Sequence, residues 1–192
     1  MISGVILAAG TSSRLGRLKQ LLELGGRPAL QHAIDCVAAV GVDELILVLG
    51  HEAARIRSAV HLPPFGRTVS NPDYASGQAS SLLRGLAATD PRSQAAVILL
   101  GDQPGVDPGA VMSVLAAWRD GVGPVARAVY RGTPGHPVVI GRTAFDEFEN
   151  ASGDDGGRSV LATLAVAEVD IDAEPPADMD TWDQYEALRR EF

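Results

Sequence analysis

The chain has 192 residues, 46% hydrophobic and 21% charged, which suits one domain with a full core and excludes a disordered chain. Its net charge of −8 speaks against nucleic acid as the main partner, because binding a phosphate backbone needs clustered Lys and Arg. No apolar run reaches the roughly 18 residues of a membrane span, the start lacks a charged leader, and the single Cys36 excludes an internal disulfide, so a cytoplasmic protein is expected.

Residues 3–8 (SGVILA) form a continuous apolar run, the pattern of a strand covered on both faces. Residues 28–40 repeat Leu30, Ile34, Val37 and Val40 near helical spacing, and Gly41 stops them; Cys36 reads as part of that core face. A strand at 44–49, a helix at 52–60, a short strand near 67–70, a helix at 77–88, a strand at 96–100 and a helix at 108–119 follow. This alternation predicts a mainly parallel sheet with helices on both faces. Beyond it, 124–130 and 137–140 read as strands joined by a Gly- and Pro-rich loop. Helices at 142–149 and 158–165, a strand at 166–171 and a last helix at 181–190 complete the pattern. Seven strands, no repeat and no linker predict a single α/β domain over 1–192.

Ligands of such sheets sit beyond the carboxyl ends of the strands, so the loops there carry the chemistry. Directly after the first strand comes Leu7-Ala8-Ala9-Gly10-Thr11-Ser12-Ser13-Arg14-Leu15-Gly16-Arg17-Leu18-Lys19. Its small residues let backbone N–H groups approach a phosphate chain, and Arg14 and Lys19 bring the charge to neutralise it. The spacing is neither a Walker loop nor GxGxxG. Asp102, in Gly101-Asp102-Gln103-Pro104 behind a buried strand, suits Mg²⁺, a hard cation that takes one or two carboxylates plus phosphates; a simple turn is the plain alternative. Asp178-Met179-Asp180-Thr181 stands before a helix, where capping alone would account for it. The segment 71–81, with Asn71, Gly77, Ser80 and Ser81, opens another helix whose free N–H groups attract anions, or is merely capped at Ser76. His32, His51, His61 and His136 form no zinc-binding pair, and no GxSxG elbow is present. Charge is uneven: residues 1–96 hold nine Lys/Arg against seven Asp/Glu, and residues 97–192 hold seven against seventeen.

Taken together, LAAGTSSRLGRLKQLLELGGRPAL at the front, Gly50-His51-Glu52, Asn71 with Gly77 and Ser80-Ser81, GDQP at 101–104, GTPGHP at 132–137, GDDGGR at 153–158 and DMDT at 178–181 resemble the MobA-like nucleotidyltransferases. The match is closest to the molybdenum cofactor cytidylyltransferase branch, whose front reads LAAGxSxRMGxxKxLLxxxGxPLL. The resemblance implies a Rossmann-like, three-layer fold of the GT-A type and a Mg²⁺-dependent reaction. It implies that Leu7, Ala8, Ala9, Gly10, Asn71, Gly77, Ser80 and Ser81 line the nucleotide site, with Arg14 and Lys19 on its phosphates. Asp102 would bind the metal with Asp180 as second ligand. Gly135, His136, Asp155 and Arg158 would face the acceptor. Ala9, where the guanylyl branch usually has glycine, favours CTP. Leu15, Leu18 and Met179 depart from the usual methionine, proline and isoleucine.

The reaction so implied is attack by the phosphate of molybdopterin on the α-phosphorus of CTP, with pyrophosphate leaving and Lys19, Arg14 and Asp102 catalytic. A molybdoenzyme or its chaperone is the protein partner this branch allows. The alternatives are a sugar- or polyol-phosphate nucleotidyltransferase, a guanylyltransferase using GTP, and a non-catalytic nucleotide- or cofactor-binding module.

Overall fold

A computed structural model of the chain describes residues 1–12, 15–121 and 123–192. The first strand, β1 (Ile2–Leu7), is buried at every residue. A loop then leads to a 3-10 turn (Lys19–Leu21) and a small hairpin of β2 (Glu23–Leu24) and β3 (Arg27–Pro28). Two-residue strands leave no periodicity, and this hairpin was invisible in the sequence pattern. Next come α1 (Ala29–Ala39), β4 (Glu44–Leu49), α2 (Ala53–Ala59), β5 (Gly66–Ser70), α3 (Gln78–Ala87), β6 (Ala95–Leu100) and α4 (Pro108–Arg119). All of these lie within one residue of their predicted bounds. Helix α4 starts where Asp107 accepts the Gly109 N–H at 3.0 Å, with Pro108 at a position that needs no donor.

The second half departs further from expectation. Residues 131–137, read as a loop, are mostly strand: β7 (Val125–Tyr130) turns at Arg131 and Gly132, both at positive φ, into β8 (Thr133–Gly141). The ladder shifts register beside Arg127–Ala128, and His136 and Pro137 fall in that shift, where a strand tolerates proline. The helix expected at 142–149 is two 3-10 turns (Arg142–Ala144 and Asp146–Asn150). Phe145 and Phe148 are three residues apart, a spacing that a 3-10 turn aligns on one face. The helix expected at 158–165 shrinks to α5 (Arg158–Leu161), and β9 (Val166–Ile171) and α6 (Trp182–Leu188) follow.

The seven long strands form one sheet in the order β5-β4-β1-β6-β8-β7-β9. Pairing is parallel throughout except at β8, antiparallel to both β6 and β7. Alternate residues face opposite sides. Ile6, Leu47 and Leu99 pack with Ile34, Ile56 and Val111 of α1, α2 and α4, while Val5, Val48 and Ile98 pack with Leu82 and Leu86 of α3 and with Phe148. The result is the three-layer, mostly parallel Rossmann-like architecture. Because β8 runs backwards, its first residues join the carboxyl ends of β1, β4 and β6 at one edge. A third cluster of Leu15, Leu22, Leu24, Ala29, Met179, Tyr185 and Leu188 fastens α6 to the front loop.

Candidate active site

Behind β1 the chain presents Ala8, Ala9 and Gly10, whose side chains end at a methyl group or less. Gln20 holds this stretch in shape: its Nε2 donates to the carbonyls of Ala8 (3.3 Å) and Gly10 (3.1 Å), and its Oε1 accepts the Ser12 hydroxyl at 3.3 Å. Ser12, at φ +55°, accepts the Lys19 N–H at 3.1 Å and so closes the loop. Gln20 went unnoticed in the sequence, although a lone amide between Leu18 and Leu21-Leu22 was the available signal. Arg14, expected on the phosphates, lies outside the described residues.

From β6, Gly101 lets the next loop approach the first, since a Cβ there would stand 2.8 Å from Leu30 and 2.9 Å from Ala8. Asp102 follows it, and its Oδ2 lies 2.5 Å from Lys19 Nζ. The same ammonium stands 2.7 Å from Asp180 Oδ1. Asp180 arrives from the far end of the chain because Met179, fully buried, anchors in the third cluster. Thr181 then starts α6 in a capping box with Gln184, so capping falls to Thr181 and leaves the Asp180 carboxylate for Lys19. Burial would lower the Lys19 pKa, but the charges of Asp102 and Asp180 outweigh it and raise it above the ordinary value. Lys19 is therefore cationic at neutral pH.

Two carboxylates within reach of one point suit a hard divalent cation that completes its shell with phosphate oxygens and water. Among the described residues no cluster of three His, Cys, Asp or Glu offers a complete cage. Asp178 takes a different position: its Oδ1 accepts Gln103 Nε2 at 2.9 Å and it faces a second cavity. Asp180 thus meets Asp102 at Lys19, and Asp178 does not.

The cleft above Lys19 measures about 710 Å³ and is lined by Leu7, Ala8, Ala9, Gly10, Gly77, Ser81, Asp102 and Asp180, joined by Tyr74, Gln78 and Arg158. Its described charged residues are Lys19 and Arg158 against Asp102, Asp154 and Asp180. Asn71 and Ser80 line neither this cleft nor the next. Asn71 is buried, donating to Ser80 Oγ (2.9 Å) and Ser81 Oγ (3.0 Å) and accepting the Asp73 N–H (3.0 Å), so the group shapes the entry to α3. Ser76 is not the cap of α3; Gly77 holds that place, at φ +112°.

The second cavity, about 510 Å³, is lined by Gly135, His136, Asp155 and Arg158 with apolar walls that include Leu82, Phe148, Pro175 and Pro176. Burial pushes His136 down to about 4, so it is neutral at pH 7. The Asp155 carboxylate accepts both the N–H (2.8 Å) and the hydroxyl (2.6 Å) of Ser159, which holds its pKa below the ordinary carboxylate value.

A Rossmann-like sheet with a small-residue loop, a lysine and two convergent aspartates at its carboxyl edge fits a nucleotidyltransferase. The chain belongs to the MobA-like NTP transferase domain family, whose model matches residues 4–169. It is similar to the nicotine blue oxidoreductase of Paenarthrobacter nicotinovorans, with 32% identity over 199 residues covering 97% of this chain and 96% of that protein. Among solved structures, Rv0371c from Mycobacterium tuberculosis H37Rv superposes with a TM-score of 0.87 at 34% identity, covering 98% of this chain and 97% of that one. The Rv0371c complex with manganese gives 0.84 at 32% identity, covering 100% and 99%. The bifunctional protein GlmU of Burkholderia thailandensis is 40% identical over 102 residues, which is 52% of this chain and 22% of that protein. None of these ties the chain specifically to the molybdenum cofactor cytidylyltransferase branch.

Proposed function

We propose that the larger cleft takes a nucleoside triphosphate with a divalent cation, that the smaller cavity takes a phosphorylated small molecule, and that nucleotidyl transfer joins them. The observation that carries this reading is the convergence of Lys19, Asp102 and Asp180 on one point at the floor of the larger cleft. A triphosphate there would displace the ammonium from its carboxylates onto the phosphates. Asp102 and Asp180 would then hold the cation, which would neutralise charge on the phosphate oxygens. Mg²⁺ is the cation we expect; the existence of an Rv0371c complex with manganese supports a divalent ion.

The acceptor phosphate is mostly dianionic at pH 7, its second pKa being about 6, so it attacks the α-phosphorus without a general base. The bond from the α-phosphorus to the bridging oxygen breaks and pyrophosphate leaves. Positioning by the two clefts and charge neutralisation by Lys19 supply the catalysis.

Sugar and polyol phosphates stand ahead of molybdopterin as acceptors, because enzymes of that kind share the sheet and metal plan, while the matched molybdopterin-guanine dinucleotide biosynthesis protein A of Archaeoglobus fulgidus is only 16% identical. The apolar walls of the second cavity speak for an acceptor with a flat or hydrocarbon body, which keeps molybdopterin in the panel. The preference for CTP over GTP rests on Ala9. A second reading comes from the relative named as an oxidoreductase, matched along nearly its whole length.

The test is pyrophosphate release from CTP, GTP, UTP and ATP with Mg²⁺ or Mn²⁺, against sugar phosphates, polyol phosphates and a phosphorylated pterin. NADH and NADPH oxidation are followed in parallel. Acceptor-dependent pyrophosphate release is expected. Nicotinamide oxidation without pyrophosphate release would replace the proposal by the redox reading.

A further inference from the structure

Lys19 makes a contact that the proposed reaction has to open. Its side chain is 14% exposed, and its Nζ lies 2.5 Å from Asp102 Oδ2 and 2.7 Å from Asp180 Oδ1. An ammonium so near both oxygens stands where a cation joining the two carboxylates has to stand. The backbone keeps it there: the Lys19 N–H donates to Ser12 Oγ at 3.1 Å, and the Lys19 carbonyl accepts the Leu22 N–H at 3.2 Å. The carboxylates are placed by other elements. Asp102 follows β6, while the Asp180 N–H donates to Gln184 Oε1 of α6 at 3.0 Å, beside the buried Met179.

Two carboxylates brought this close repel unless a positive group stands between them. Lysine and a divalent ion therefore compete for one place. An ion arriving while the ammonium is seated meets a like charge a few ångströms away. It also meets few ligands, since no group of three His, Cys, Asp or Glu is gathered among the described residues. Two carboxylates suit Mg²⁺ chiefly when substrate phosphates complete its shell. A polyphosphate changes the balance, because it offers the ammonium other oxygens and gives the ion its missing ones.

We propose that Lys19 is a stand-in cation that keeps divalent ions off Asp102 and Asp180 until the phosphates of a nucleotide draw the ammonium away. This rests on the function proposed above and adds its regulation: the ion settles only with its nucleotide. The nucleotide then raises the affinity for the ion, and by linkage the ion raises that for the nucleotide equally.

Losing the lysine should therefore improve ion binding by the free protein, the opposite of what loss of a supporting residue does. Equilibrium dialysis counts the Mn²⁺ retained by wild type, Lys19→Met, Lys19→Gln and the double variant Lys19→Met/Asp102→Asn, with folding checked by circular dichroism. Without nucleotide, both uncharged single variants are expected to bind Mn²⁺ at least about tenfold tighter than wild type, and the double variant to lose that gain. Saturating CTP should raise the Mn²⁺ affinity of wild type by about tenfold or more. Equal Mn²⁺ affinities in wild type and the single variants, including no measurable binding by any, overturn the exclusion by Lys19. Weaker binding by the single variants overturns it as well, because the lysine then supports the site. A gain that survives in the double variant does so too, because it lies elsewhere. Wild type that binds CTP without gaining Mn²⁺ overturns the release by phosphates. Wild type that binds no CTP at all counts instead against the proposed function, and the titration without nucleotide still decides the exclusion.

Discussion

At the residue scale the account turns on which polar groups are held for chemistry and which for shape. Lys19 and Asp102 meet at 2.5 Å across 83 positions of sequence. On the proposed function, Lys19→Ala removes the ammonium expected on the phosphates and Asp102→Ala removes a carboxylate expected to hold the cation. Turnover is expected to fall on the order of 10²–10³-fold with the protein still folded, measured by pyrophosphate release alongside circular dichroism. Gln20 belongs to the other kind. It is 1% exposed and bonds two loop carbonyls and a hydroxyl. Gln20→Ala leaves those carbonyls without their partner, so urea unfolding should show a loss of about 1–3 kcal/mol, with a weakened triphosphate affinity because Lys19 follows the loop. Unchanged stability would mean the loop is held by other contacts. Asn71 and Ser80 show the same distinction: their hydrogen bonds to each other and to the Asp73 backbone shape the start of α3.

At the element scale, the placement of Asp180 depends on a core cluster rather than on the helix that follows it. Met179 is 0% exposed among Leu15, Leu22, Leu24 and Tyr185. Met179→Ala should cost about 2–5 kcal/mol as a cavity and also release the neighbouring carboxylate, so metal affinity should drop more than in a core truncation of similar cost elsewhere. Thermal unfolding with Mn²⁺ titration on Met179→Ala and Ile56→Ala makes that comparison. Equal metal affinities in the two would separate Asp180 from the cluster. Leu15 and Met179 lie in this same cluster. The βα units were legible because buried strands such as β4 and stripes such as Leu30, Ile34 and Val37 repeat strongly. The segment 131–161 was not, because glycine and proline signal loops even where a hairpin ladder holds them, and single helical turns carry no period. The charged site residues could be picked from the sequence by type and motif, but the convergence of Asp180 and the sharing of Arg158 between two cavities are tertiary facts that no local pattern contains.

At the scale of the whole molecule, an acidic chain is arranged so that its triphosphate cleft lacks net positive charge among the described residues. Stability should also carry a pH signature. His136, near 4 in the folded protein against 6.5 unfolded, binds fewer protons when folded across that interval. Stability therefore falls as pH drops from about 6.5 towards 4, by at most about 3 kcal/mol, a loss that His136→Gln should reduce in urea unfolding at pH 5 and 7.5. The cleft's charge makes the central claim directly measurable. Mn²⁺ binding in the presence of CTP, followed by electron paramagnetic resonance, is expected to be tight in the wild type and at least about tenfold weaker in both Asp102→Ala and Asp180→Ala. Wild-type Mn²⁺ affinity in either variant would contradict a cation site shared by those two carboxylates.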